Sequence, residues 1–219
     1  EPFFLTPPYP FDFPQELSGF PGPHLNFIAA QQVGAALGSS DHHVEILRSG
    51  NGRDWTNEGR VDMRDDARPW SYHSAQITQV SDLKLLLRAT RYWHRDDSGQ
   101  FEKPEAGTPQ PGPIILWSDD QGKTWSEPQF IDVPLPREEY SHHVMGNLIQ
   151  LTDTHWMFPI QLNSPKHHYN GPNHHGAALL FTTDGGKTFG EFTILAQDPD
   201  GIIEYHDQFG IRLDDGSLY

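Results

Sequence analysis

Short runs of Val, Ile, Leu and aromatic residues alternate along this chain with clusters of Gly, Pro, Asn and Asp, and no long stretch repeats its apolar residues at a helical period. That texture predicts many short strands joined by turns, and few helices. Three segments read as strand–turn–strand units: Ile77 to Leu87 around Ser81-Asp82, Leu148 to Phe158 around Thr152-Asp153, and Ile211 to Tyr219 around Asp214-Asp215-Gly216. Residues 1–23, with Pro7, Pro8, Pro10, Pro14, Pro21 and Pro23, read as an irregular arm.

An internal repeat organises the rest. Ser118-Asp119-Asp120-Gln121-Gly122-Lys123-Thr124-Trp125 matches Thr182-Thr183-Asp184-Gly185-Gly186-Lys187-Thr188-Phe189 position for position in residue type. An eroded copy runs from Arg48 to Trp55. The closing aromatics Trp55, Trp125 and Phe189 stand 70 and 64 residues apart, and the hairpin turns at Asp82, Asp153 and Asp215 stand 71 and 62 apart. One unit therefore holds one hairpin and one acidic motif. In such a motif the Asp carboxylate accepts N–H bonds within its own turn, Gly supplies positive φ, the hydroxyls add local bonds, and the aromatic anchors the turn in apolar space.

This S/T-x-D-x-G-x-T-W/F pattern resembles the Asp box, or BNR repeat, of the sialidase (neuraminidase) superfamily. The resemblance covers about 190 residues by this reading. It implies an all-β fold, a β-propeller of four-stranded antiparallel blades, six- or seven-bladed when complete. Blades are expected over 24–63, 70–133 and 140–195, with the next beginning at 204–219. Three blades and a start cannot close a ring, so the expectation is the N-terminal half of a propeller. Ser118, Asp120, Gly122, Thr124, Trp125 and Thr182, Asp184, Gly186, Thr188, Phe189 are its structural Asp-box residues.

Alternating strand direction puts the acidic turns and the hairpin turns on one face and the remaining connections on the opposite face. The second set, taken with His24 at the head of the first strand, collects twelve of the thirteen histidines; His155 is the exception. Tyr72, Tyr92, Tyr140, Tyr169 and Tyr205 join them, with Trp70 and Trp93. Rings that stack on a pyranose, beside imidazoles, Asn147 and carboxylates that meet its hydroxyls, suit an oligosaccharide, polysaccharide or glycoconjugate.

The segment Ser39-Ser40-Asp41-His42-His43 resembles the sialidase loop whose Asp is acid/base, which implies that role for Asp41. Asp207-Gln208-Phe209-Gly210 resembles the strand carrying the Glu that activates a tyrosine nucleophile. Spacing favours Asp207 and residue type favours Glu204, and the tyrosine itself would lie beyond residue 219. The family's arginine triad grips the sugar carboxylate, yet the first arginine here is Arg48. The expected enzyme is a sialidase-like exo-glycosidase acting on terminal acidic or other sugars, with His24, Arg91, His94, His142, His143, Asn147 and Tyr205 lining the substrate. A second reading takes His73, His94 and Tyr140 for the His/Tyr set of β-propeller polysaccharide lyases such as ulvan lyases, which act on uronates, with Arg91 and Arg95 neutralising the carboxylate. A third is a non-catalytic sugar-binding propeller.

Composition narrows the partners. Against 15 basic residues stand 30 acidic ones, a formal charge of −15, which repels phosphate backbones and argues against nucleic acid. No apolar run approaches the roughly 20 residues of a bilayer span. No cofactor is expected, and with no cysteine there is no thiolate metal site. His167-His168 and His174-His175 match no zinc spacing and read as substrate rim. The expected compartment is extracellular or periplasmic, a point the lack of cysteine does not decide.

Overall fold

The computed structural model describes residues 27–35, 41–61, 70–93, 112–134, 141–163, 175–198, 200, 202–203, 205 and 208–219. The arm at 1–23 and the predicted site residues His24, His94, Tyr140, Glu204 and Asp207 lie outside the described residues, as does the side chain of His142.

Among the described residues the fold is all-β, without a helix, in three antiparallel sheets. The first sheet orders β1 (Phe27–Val33), β2 (His43–Ser49) and β3 (Thr56–Val61). The second orders β4 (Trp70–Gln79), β5 (Leu85–Trp93), β6 (Gly112–Ser118) and β7 (Gln129–Phe130). The third runs from β12 (Glu191–Ala196) through β11 (His175–Thr182) and β10 (Trp156–Asn163) to β8 (Ser141–Val144), with β9 (Ile149–Gln150) also paired to β10. Residues 211–219 close a hairpin in which Ile211 and Tyr219 exchange both backbone bonds at 2.9 Å.

Four strands per sheet is the expectation, and two sheets depart from it. The first has three strands among the described residues. In the third, the inner strand is split into β8 and β9 opposite Pro159. The N–H and C=O of a residue face the same neighbour in an antiparallel ladder, so the donor that Pro159 lacks is missing where its carbonyl accepts Met145 N–H, 3.2 Å away. Gly146 follows at φ +58°, and a Cβ there would lie 2.1 Å from the Gln208 carbonyl oxygen.

The middle sheet is apolar on both faces, and the period of two along its strands sorts them. Leu87 and Ala89 of β5 and Ile114 and Leu116 of β6 pack with Val44, Ile46, Val61 and Tyr72, joining the first sheet. Leu86 and Ile115 pack with Trp156, Phe158, Ile160, Leu162 and Leu180, joining the third. Arg88 shares the second interface. It is fully buried, its guanidinium 4.9 Å from the Phe158 ring centroid, and Nη2 donates to Gln76 Oε1 and the Gly146 carbonyl at 2.7 Å each. Burial pushes its pKa down to about 9.

The two acidic turns have one hydrogen-bond pattern. Asp120 Oδ1 accepts Lys123 and Thr124 N–H at 3.0 and 2.9 Å, and Oδ2 accepts the Thr124 hydroxyl at 2.6 Å. Asp184 repeats this with Lys187 and Thr188 at 2.9, 2.9 and 2.6 Å. These bonds, the threonine hydroxyl foremost, hold both carboxyls well below the usual range. In the eroded copy the matching first residue is Ser49, one place later than a gapless alignment with Arg48 puts it. Ser49 Oγ accepts Gly52 N–H at 2.8 Å as Ser118 Oγ accepts Gly122 N–H at 2.7 Å, and Asn51 Oδ1 takes the acceptor role of Asp120. The loop is one residue shorter there, and Asn51 Nδ2 donates to Asp54 at 2.8 Å where Thr124 donates to Asp120, so polarity is reversed.

Each full turn also seals a seam between sheets. A Cβ on Gly122 would lie 2.6 Å from Ile28 of the first sheet, and one on Gly186 would lie 3.0 Å from Trp117 of the second. The turns sit beside the inner hairpins, with Gln121 N–H on the Leu83 carbonyl at 3.1 Å and Gly185 N–H on that of Thr154 at 2.9 Å. One end of the stack is therefore occupied by structural turns.

Candidate functional site

At the other end, four rings from all three sheets form a continuous row. His42 sits just ahead of β2, His73 in β4, Tyr92 near the end of β5 and His143 in β8. Ring centroids are 4.6 Å apart for His42 and His73, 4.8 Å for His73 and Tyr92, and 5.1 Å for Tyr92 and His143. The Tyr92 ring meets His73 edge-on at 83°, and its hydroxyl hydrogen-bonds the His143 imidazole at Nδ1.

Strand geometry explains the row. Leu86, Arg88, Thr90 and Tyr92 project from one face of β5 toward the third sheet, where Thr90 Oγ1 accepts Val144 N–H at 2.8 Å and sets β8 against β5. His143, adjacent to Val144, is thereby brought to Tyr92. On the other side Tyr72 N–H bonds the His42 carbonyl at 3.3 Å, fixing the entry of β2 against β4. Gly34 makes room for the His42 ring, since a Cβ at position 34 would fall 1.6 Å from His42 Cδ2.

The β4–β5 register shifts between His73 and Gln76, and within that bulge Ser74 has φ +55°. A left-handed serine is strained, and strain held by surrounding structure marks functional sites. Here Gln32 of β1 holds it: its Oε1 accepts Ser74 N–H at 3.0 Å while Nε2 reaches His42 Nδ1 at 2.9 Å and His73 Nδ1 at 3.2 Å. Ser71 Oγ lies 3.1 Å from His73 Nε2.

The predicted residues divide by position. His73 and His143 join the row. Asp41 stands at the same strand ends beside His42, and its carboxylate accepts Ala35 N–H at 3.2 and 3.0 Å. His43 donates from Nδ1 to the Asp41 carbonyl at 2.9 Å. Arg91 projects from the opposite face of β5 to Tyr92 and stacks over Phe130 with its guanidinium 4.0 Å from the ring centroid. Asn147 Oδ1 accepts Gly210 N–H at 3.4 Å, tying the third sheet to the segment before the C-terminal hairpin. Tyr205 is half-buried, and its carbonyl accepts Gln208 Nε2 at 3.2 Å. His142 pairs with Leu162 in the β8–β10 ladder.

Sequence places His42 and Tyr92 on this face without an individual role, and gives Gln32 and Ser71 none. Tyr92 and His42 carry a signal in being ring residues at that end of their strands. Gln32 carries none, because its importance comes from contacts made across sheets, and Ser71 is marked only by its bond to His73 on the same strand.

The chain is similar in structure to a protein of unknown function from Dyadobacter fermentans, with a TM-score of 0.66 at 15% identity over 88% of this chain and 57% of that one. It is also similar to an α-L-arabinofuranosidase from Fusarium graminearum, solved in complex with an iminosugar inhibitor, with a TM-score of 0.53 at 13% identity over 88% and 47%. The chain thus spans about half the length of these solved structures, and at such identities the likeness is one of fold. No protein-family model and no curated protein matches it.

Proposed function

We propose that this chain is part of a carbohydrate-active enzyme of the glycoside hydrolase type. Its three sheets are blades of a propeller, and its sugar lies over the His42–His73–Tyr92–His143 row. That row carries the reading. Imidazole and phenol rings drawn from three sheets and gathered at the end opposite the acidic turns offer stacking faces and hydroxyl partners together. The likeness to an arabinofuranosidase adds support by fold analogy alone. Asp41, beside the row, is the proposed acid/base. In the sialidase-like version of the mechanism Glu204 or Asp207 activates a tyrosine supplied from outside this chain, the sugar is one other than sialic acid, and the enzyme meets its glycan outside the cytoplasm.

The test is to incubate the complete enzyme that contains this chain with arabinan, uronate-containing polysaccharides and sialylated glycoconjugates, and to follow both new reducing ends and ultraviolet absorbance. Hydrolysis gives reducing ends without the absorbance of an unsaturated sugar, and Asp41→Asn lowers turnover by about 10²–10⁴-fold. Turnover untouched by that change removes Asp41 from the chemistry.

One observation favours a second reading. A phenol bonded to an imidazole, as Tyr92 is to His143, is an acid–base pair of the kind that takes a proton from a carbon beside a carboxylate. A lyase would give the absorbing unsaturated product and lose it in Tyr92→Phe. Binding of sugar with neither product would leave a sugar-binding protein.

A further inference from the structure

We infer that Gln32 is a positioning residue that holds His42 and His73 together as neutral imidazoles, each carrying its proton on Nε2. The placing of these rings against substrate rests on the function proposed above; the protonation pattern does not.

The argument is one of donors and acceptors. The Ser74 backbone N–H can only donate, so the Gln32 atom facing it at 3.0 Å must be the carbonyl oxygen. That fixes the amide orientation, and Nε2 is left facing both imidazoles. An amide nitrogen has two hydrogens and no lone pair to offer, so each must go to an acceptor. His42 Nδ1 and His73 Nδ1 are those acceptors and carry no proton. A proton at either Nδ1 would set donor against donor, and protonating both rings would place two cations with ring centroids 4.6 Å apart. Turning the amide over to relieve this would face Gln32 Nε2 with the Ser74 N–H. The strained backbone at Ser74 thus serves a purpose: it aims an unambiguous donor at Gln32.

The consequence is a division of labour. His73 keeps its proton on Nε2, directed at Ser71 Oγ, 3.1 Å away. Its lone pair is engaged by Gln32 and its proton by Ser71, so both ring nitrogens are occupied and His73 is held as a fixed neutral ring. Tyr92 and His143 bond to each other, outside this lock.

The experiment is nitrogen-15 NMR of the imidazole rings at neutral pH, with His42 and His73 assigned from His42→Asn and His73→Asn. Both rings are expected to show the Nε2–H pattern. In Gln32→Glu the carboxylate can only accept, so at least one ring gains a proton at Nδ1 and its titration midpoint rises by about 1 to 3 in pH. Among the described residues, the titratable groups facing the pair are the two rings themselves and Tyr92, with His143 behind Tyr92 and Asp41 next to His42. A proton on Nδ1 of either ring in the unsubstituted protein overturns the inference, as does a Gln32→Glu spectrum with both rings unchanged. Should Gln32→Glu fail to fold, the unsubstituted spectrum decides alone. Absence of sugar turnover by the complete enzyme, with the Nε2–H pattern intact, would refute the proposed function and leave this inference standing.

Discussion

Replacing two neighbouring glycines of the third sheet's acidic turn separates backbone strain from packing. Gly185 and Gly186 have φ +72° and +85°, so alanine at either meets the same left-handed penalty, about 1–2 kcal/mol. Their surroundings differ. A Cβ on Gly185 would approach nothing closer than 3.8 Å, whereas one on Gly186 would lie 2.9 Å from Trp156 and 3.0 Å from Trp117. Those indoles pack on each other with centroids 6.1 Å apart, at the seam of the second and third sheets, so a Cβ pressing on both must shift that packing. Overpacking of this kind adds about 1–3 kcal/mol. Gly185→Ala is expected to cost about 1–2 kcal/mol in all and Gly186→Ala about 2–5. For a chain of this size that gap corresponds to roughly 2–12 °C in Tm, read from thermal unfolding followed by tryptophan fluorescence. Equal losses would show that the turn glycine does not seal the seam, and that only its φ matters.

Two further outcomes follow from charge. The Asp184 carboxyl is held below its usual range in the folded state, so its contribution is present above about pH 4 and is lost as pH falls further. The Tm gap between the unsubstituted protein and Asp184→Asn should be flat from neutral pH to about 5 and narrow below about 4; a gap that widens on acidification would contradict the assigned bonds. Arg88→Met sets two terms of similar size against each other. Lowering the guanidinium from 12.5 to about 9 corresponds to about 5 kcal/mol of desolvation relieved, while orphaning Gln76 Oε1 and the Gly146 carbonyl costs about 2–6. Near-neutral stability is expected at pH 7. Because the folded-state pKa is the lower one, the unfolded chain binds more protons above about 9, and the unsubstituted protein should gain on Arg88→Met as pH rises past that point. Urea unfolding at neutral pH and near pH 10 checks this, and a gap independent of pH would refute it.

Local chemistry was legible in the chain. The acidic turns could be read because Asp120 and Asp184 bond within five residues of themselves, and the hairpins because strand alternation and turn residues are neighbours in sequence. The all-β class follows from the same short-range signals. Even the misplaced start of the eroded copy, Arg48 for Ser49, is an error of one residue caused by a shortened loop.

The site was legible only in part, since it is made by side chains from strands far apart in the chain. Which face of β5 bears Tyr92 and which bears Arg91 depends on register, and register depends on which apolar row meets the third sheet. Gln32, 10 residues from His42 and 41 from His73, has no local mark of its role. Sequence by itself determined the strands, the turns and the end of the sheets at which His42, His73 and His143 stand. Only the tertiary structure decided which rings touch and where their protons reside, because hydrogen bonds between sheets are set by packing distances of a few ångströms that no spacing along a chain encodes.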